Sequence, residues 1–191
     1  KKYSFTGLKP EIIFPQHVLP TSIKKLKRQE NLNEIKTVLF LPPFISISQQ
    51  GLYPPLGPEE GLGFIREVLR VTENRQLKVK MKVHPEQKFI NPNLTEGMNH
   101  VELISSGRSE DFFEHVDALI IDYSAQSSFG SALRTNIPIL FLDTGQIEFN
   151  KEVRDHLHSR VGYVKVEQVN IREWVIQEQD FERVTREAIK K

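Results

Sequence analysis

Ala118-Leu119-Ile120-Ile121-Asp122-Tyr123-Ser124 is four apolar residues followed at once by a carboxylate and two hydroxyls. So short and unbroken an apolar run suits a strand covered on both faces, as in a parallel sheet. Comparable runs lie on either side of it. Val38-Leu39-Phe40-Leu41 is closed by Pro42-Pro43, and Lys78-Val79-Lys80-Met81-Lys82-Val83 stops at His84-Pro85. Val101-Glu102-Leu103-Ile104 ends at Ser105-Ser106-Gly107, and Ile137-Pro138-Ile139-Leu140-Phe141-Leu142 ends at Asp143. Helical patterns alternate with these strands. Glu59 to Arg70 sets Leu62, Ile65, Val68 and Leu69 on one face. Ser109-Glu110-Asp111 opens a helix from Phe112 to Val116, with Ser109 as its expected cap, and Ala125 to Arg134 is helical in pattern. Phe149 to Ser159, Ile171 to Gln177 and Phe181 to Lys190 read as closing helices, and Val161 to Val166 as a last short strand. This alternation predicts an α/β fold with a doubly wound, mostly parallel sheet.

Right-handed crossovers bring the C-terminal ends of all parallel strands to one edge, where open α/β sheets bind ligands. Chemistry is therefore expected at 42–48, at His84-Pro85, at Ser105 to Glu110, at Asp122 to Ser128 and at Asp143 to Gly145. At Asp122-Tyr123-Ser124-Ala125-Gln126-Ser127-Ser128 a strand passes into a helix, with Ser124 as natural N-cap and Ser127 three residues on. A helix start offers unpaired N–H groups and partial positive charge, which suit a phosphate; a plain cap with no ligand uses the same residues. Pro85 holds the preceding His84 extended, so its imidazole is aimed at the crevice as acid, base or phosphate donor, or is bonded to a neighbouring loop. Ser105, Ser106, Ser109 and Glu110 form either a nucleobase-holding loop or a tight turn followed by a cap.

The chain's 191 residues fit one domain, read as 36–191, with residues 1–35 as an arm or inter-domain linker. Pro10, Pro15 and Pro20 argue against a long helix there. The basic run Lys24, Lys25, Lys27, Arg28 is read as a solvated stretch, or as a contact for an anionic acceptor or a lipid headgroup surface. The opening Lys1-Lys2-Tyr3 reads as the start of a piece of a longer protein. Twenty-six basic against 25 acidic residues give +1, far from the basic bias of a dedicated nucleic-acid domain. Absence of cysteine excludes disulfide scaffolds and thiol catalysis. No apolar run nears the roughly 20 residues of a membrane span, and no stretch of these residues reads as a signal peptide.

Several chemistries fail on spacing. Gly61-x-Gly63 does not directly follow the first strand and lacks a third glycine, so no dinucleotide fingerprint is present; nor is there a Walker A pattern or G-x-S-x-G. Among the other histidines, His17, His100, His115, His156 and His158, none forms H-E-x-x-H, and His156 and His158 diverge on a helix. With no D-x-D either, no metal is expected.

Taken together, Lys82-Val83-His84-Pro85, the serine-containing turn, Asp122-Tyr123-Ser124, Ala132-Leu133-Arg134 and Ile137-Pro138-Ile139-Leu140-Phe141 resemble one group of enzymes. These are the C-terminal, nucleotide-binding halves of GT-B transferases of bacterial surface-polysaccharide synthesis. The likeness is strongest to the CDP-glycerol glycerophosphotransferase (teichoic acid polymerase) group, and capsular Kdo transferases and polysialyltransferases carry a similar pattern. It spans about Thr37 to Asp143, roughly half the chain. The resemblance implies a Rossmann-like domain in which His84, as catalytic residue, approaches the donor phosphate or leaving group. It implies a donor-binding set of Pro85, Ser105, Ser106, Ser109, Glu110, Asp122, Tyr123, Ser124, Gln126, Ser127 and Ser128. The family's second serine is here Ala125, with Gln126, Ser127 or Ser128 to compensate. It implies no metal or other cofactor, a CMP-, CDP- or UDP-linked sugar or polyol donor, and an anionic or lipid-linked glycan acceptor. The acceptor and general base come from an N-terminal half, so this piece is expected to bind donor without turning over alone. The location implied is cytoplasmic, peripheral at the inner face of the membrane. Two alternatives stand beside it: a non-catalytic nucleotide-sensing or interaction domain, and a sugar-nucleotide epimerase-like half using Glu110 and Asp143.

Overall fold

The computed structural model describes residues 24–27, 34–43, 45, 56–84, 95–122, 127–145, 149 and 151–190. Six parallel strands form its central sheet: β1 (Thr37–Leu41), β2 (Lys78–Lys82), β3 (Val101–Ile104), β4 (Ala118–Ile121), β5 (Ile139–Asp143) and β6 (Gly162–Lys165). Their order is β3-β2-β1-β4-β5-β6, with every neighbouring pair parallel. The chain runs outward from β1 to β3 on one side and from β4 to β6 on the other. The sense of winding therefore reverses between β1 and β4, in a doubly wound, Rossmann-like sheet.

Strand alternation divides the core. Val38, Phe40, Val79, Met81, Ala118, Ile120, Leu140 and Leu142 face one layer, which contains α1 (Pro58–Asn74) and α4 (Glu178–Ala188). Leu39, Leu41, Leu119, Ile121, Ile139 and Phe141 face the other. That layer holds the 3-10 helix Ser109–His115, α2 (Ser127–Leu133) and α3 (Lys151–Arg160). The β4 side chains are fully buried on both faces, as the unbroken apolar run requires.

Helix α1 begins with Pro58 in its first turn, where a missing N–H costs nothing, and Glu60 accepts the Gly57 N–H at 2.8 Å. Its buried face is Phe64, Ile65, Val68, Leu69 and Val71; Leu62, assigned to that face from the spacing, is only half-buried. Arg160 of α3 donates to the carbonyls of Thr135 and Ile137, at 2.7 and 2.9 Å, and ties the end of α2 to the start of β5.

Two expectations change. The helix read at Ile171 to Gln177 is instead part of an antiparallel hairpin, β7 (Glu167–Asn170) and β8 (Glu173–Val175). Trp174 and Ile176 alternate into the core beside α1, while Ile171 stays 56% exposed. The arm, too, is docked on the domain where the basic run lies, although the lysines themselves are solvated as expected. Lys24 bridges Thr135, and Leu26, 2% exposed, lies in the second core layer with its N–H donated to Asn136 Oδ1 at 2.7 Å. Lys24, Lys25 and Lys27 point to solvent around it, and Arg28 lies outside the described residues. Among the described residues no helix is long and apolar enough to cross a membrane.

Candidate functional site

Asp122 follows β4 immediately, at the point where the sheet's winding reverses. Leu41 and Ile121 are in register, so Asp122 stands beside the Pro42-Pro43 end of β1. It is 5% exposed, and among the described residues its Oδ1 has no hydrogen-bond partner. Burial pushes its pKa up to about 7, offset in part by its own backbone N–H. Asp117, at the opposite end of the same strand, shows what a structural aspartate does here. It is as deeply buried, but its Oδ2 accepts the Lys36 and Thr37 N–H groups at 3.0 and 2.8 Å. The fold satisfies the carboxylate at the opposite edge and, among the described residues, leaves one oxygen of the carboxylate at the ligand edge without a partner.

His84 lies two residues beyond β2 on the same edge, and its side chain is exposed. The neighbouring backbone is still sheet-like, since the Val83 N–H donates to the Ile104 carbonyl at 3.1 Å. Ser105 and Ser106 follow β3 directly and are exposed. Gly107 closes their turn at φ +75°, a conformation that only glycine adopts without strain.

The 3-10 helix and α2 meet through hydroxyls. Ser109 Oγ and Ser128 Oγ are 2.5 Å apart, and Ser131 donates to Glu110 Oε1 at 2.9 Å. Arg108 Nε lies 3.6 Å from the other oxygen of Glu110. Ser109 is thus not a cap: it occupies the first helical position, and Asp111 Oδ2 instead accepts the Arg108 N–H at 3.0 Å. Ser127, exposed, opens α2. The structure therefore joins Ser109, Glu110 and Ser128 in one polar seam between the loops that follow β3 and β4. A double-mutant cycle tests this seam. Ser109→Ala and Ser128→Ala are each expected to cost about 1 kcal/mol in thermal unfolding. The double variant should cost little more than either, because each removes the same bond; fully additive losses would deny the bond.

Farther along the edge, Tyr163 on β6 donates its hydroxyl to Asp143 Oδ2, and the Gly145 N–H donates to Asp143 Oδ1 at 2.8 Å. Tyr163 is stacked on Phe141, with ring centroids 5.9 Å apart, and contacts the His158 ring at 4.4 Å. Burial, then the Asp143 bond, raises the phenol pKa, so Tyr163 stays a donor at neutral pH. The sequence marks Asp143 as an edge residue but gives no sign of Tyr163. The usable signal is strand register: Phe141 pairs with Tyr163, which sets the phenol beside the end of β5.

Pro85, Tyr123, Ser124 and Gln126 lie outside the described residues. Of the expected site, the structure brings Asp122, His84, Ser105, Ser106, Ser109, Glu110, Ser127 and Ser128 to one edge of the sheet. No group of three or more His, Asp or Glu side chains among the described residues is placed to hold a metal. A scan against protein-family models matches none, and a comparison with curated proteins finds no match.

Proposed function

We propose that this chain is the donor-nucleotide-binding half of a GT-B-type transferase of bacterial surface-polysaccharide synthesis, acting on a CMP-, CDP- or UDP-linked sugar or polyol. The observation that carries the reading is Asp122. A buried carboxyl with one oxygen unpartnered among the described residues, at the winding reversal of a parallel sheet, stands where this fold class takes a ligand. His84 and the serine seam on the same edge support it. In this reading an acceptor hydroxyl attacks the donor and the nucleotide leaves. His84 donates toward the leaving phosphate, and the serine hydroxyls and backbone N–H groups stabilise its developing charge. The acceptor and the general base belong to another half, at the inner face of the membrane. The carboxylates that an epimerase needs are already engaged, Glu110 by Ser131 and Asp143 by Tyr163, and nothing favours that alternative.

Calorimetric titration with CMP, CDP, UDP and GDP tests the proposal. One pyrimidine nucleotide is expected to bind, and His84→Ala to weaken it by about tenfold or more, the scale of one lost charge-assisted contact. Because His84 is exposed, the variant should unfold at the wild-type temperature. A folded chain that binds none of the four nucleotides sinks the reading.

A further inference from the structure

Asp122 aside, the buried charges among the described residues are met by partners, with one exception, again on the ligand side. Glu67 is held by Arg70 at 2.7 Å and by the Ile176 N–H at 2.8 Å. Arg160 is held by backbone carbonyls. Lys82, the last residue of β2, is 8% exposed, and its ammonium makes a single bond, to the Val83 carbonyl at 3.1 Å. No carboxylate pairs with it among the described residues. Lys80, two residues back on the same face, is less buried and yet has Glu102 at 2.6 Å. Among the described residues the sheet thus supplies a counter-charge to the more exposed lysine and none to the more buried one. A lysine so largely buried, with most of its ammonium donors unspent on protein, is costly unless an anion joins it. Burial alone pushes its pKa down.

The position says which anion. Lys82 is in register with Ile104, so Ser105 and Ser106 are the next residues on the neighbouring strand, and His84 follows two residues on. Exposed hydroxyls beside a fixed cation, at the C-terminal ends of parallel strands, suit an oxyanion with several acceptor oxygens. A carboxylate has fewer oxygens to share among them. We propose that Lys82 is the fixed cation of a phosphate-binding site at the C-terminal ends of β2 and β3, with the Ser105 and Ser106 hydroxyls as its neutral donors. Only the identity of that anion as a donor phosphate rests on the transferase reading; the site itself stands on the lysine's burial and missing counter-ion.

The test uses inorganic pyrophosphate and inorganic phosphate on the whole chain, by calorimetry and thermal unfolding, with Lys82→Met and Lys80→Met. Pyrophosphate is expected to bind the wild type and raise its melting temperature. Lys82→Met should bind it at least about tenfold more weakly, and Lys80→Met within about twofold of wild type. Ligand-free Lys82→Met should melt no lower than wild type, because it removes a charge that no described carboxylate compensates. The proposal is overturned if wild type does not bind pyrophosphate, if Lys82→Met binds it as wild type does, or if Lys82→Met is unfolded or destabilised without ligand. Pyrophosphate binding lost in Lys82→Met, with no nucleotide bound by any variant, keeps the anion site and removes the donor reading. Nucleotide binding indifferent to Lys82 does the reverse.

Discussion

At pH 8, Asp122→Asn is expected to unfold at a higher temperature than the wild-type chain. The carboxyl is 5% exposed, has no donor at Oδ1 among the described residues, and is pushed by burial from 3.8 up to about 7. The folded state therefore holds the proton more tightly than the unfolded state does. Its contribution to stability is fully present below about pH 4 and is lost as pH rises toward 7, above which the carboxylate is ionised in both states. A shift of about three units corresponds to roughly 4 kcal/mol of cost for ionising the buried group. The asparagine amide keeps part of the polar burial cost, so the net gain at pH 8 is on the order of 2–3 kcal/mol. For a chain of this size that is a rise of roughly 5–10 °C. Below pH 4 the two proteins should converge. Thermal unfolding from pH 3.5 to 8.5 reads both limbs. Parallel curves for wild type and variant would mean that the carboxyl has a partner and carries no functional strain. The same substitution should weaken nucleotide binding, so that stability and function move in opposite directions, as at a site built for a ligand.

Much of the fold was legible because the strands announce themselves. The runs at 101–104 and 118–121 have the same ends in sequence and structure, since each is rich in aliphatic residues and closed by polar or turn residues. The failure at Ile171 to Gln177 has an equally local cause. Ile171, Trp174 and Val175 fall at helical spacing, but Trp174 and Ile176 also fall at strand spacing, and seven mixed apolar and polar residues do not choose between the two. Contact with α1 decides: Trp174 Nε1 reaches the Glu60 carbonyl at 2.9 Å, and the Ile176 N–H reaches Glu67 at 2.8 Å.

The site divides in the same way. The rule that ligands meet strand ends located Asp122, His84 and the serines, because it needs only the order of elements. What the sequence hides is compensation. Asp117 and Asp122 look alike as letters, and only the arrival of the Lys36 and Thr37 N–H groups from β1 makes one structural. Lys78, Lys80 and Lys82 read as one alternating charged face, yet the exposure of that face falls along the strand until its last lysine is buried.

Gly63→Ala is expected to be among the most damaging single changes outside the site, although helix propensity favours it. Gly63 lies inside α1, where alanine would gain up to about 1 kcal/mol over glycine. A Cβ built there, however, falls 2.1 Å from the Arg172 carbonyl oxygen and 2.7 Å from its carbon. Those are backbone atoms, fixed by the hairpin and unable to turn aside like a side chain. Relief requires moving β7–β8 off the helix, with loss of the Trp174 bond to Glu60, its edge contact with Phe64 at 5.7 Å, and the Arg172–Glu59 pair. Overpacking of this kind costs about 3 kcal/mol, so the clash outweighs the propensity gain and the melting temperature should fall by roughly 5–10 °C. Gly130 in α2 is the control, since a Cβ there meets nothing within 4 Å and its alanine variant should be neutral or slightly stabilised. Trp174 is the chain's only tryptophan, so its fluorescence reports the hairpin directly. A red-shifted emission is expected in Gly63→Ala and an unchanged one in Gly130→Ala. Wild-type stability and emission in Gly63→Ala would show that the hairpin does not rest on the helix backbone, and that the close approach of Arg172 is not what fixes glycine at that position.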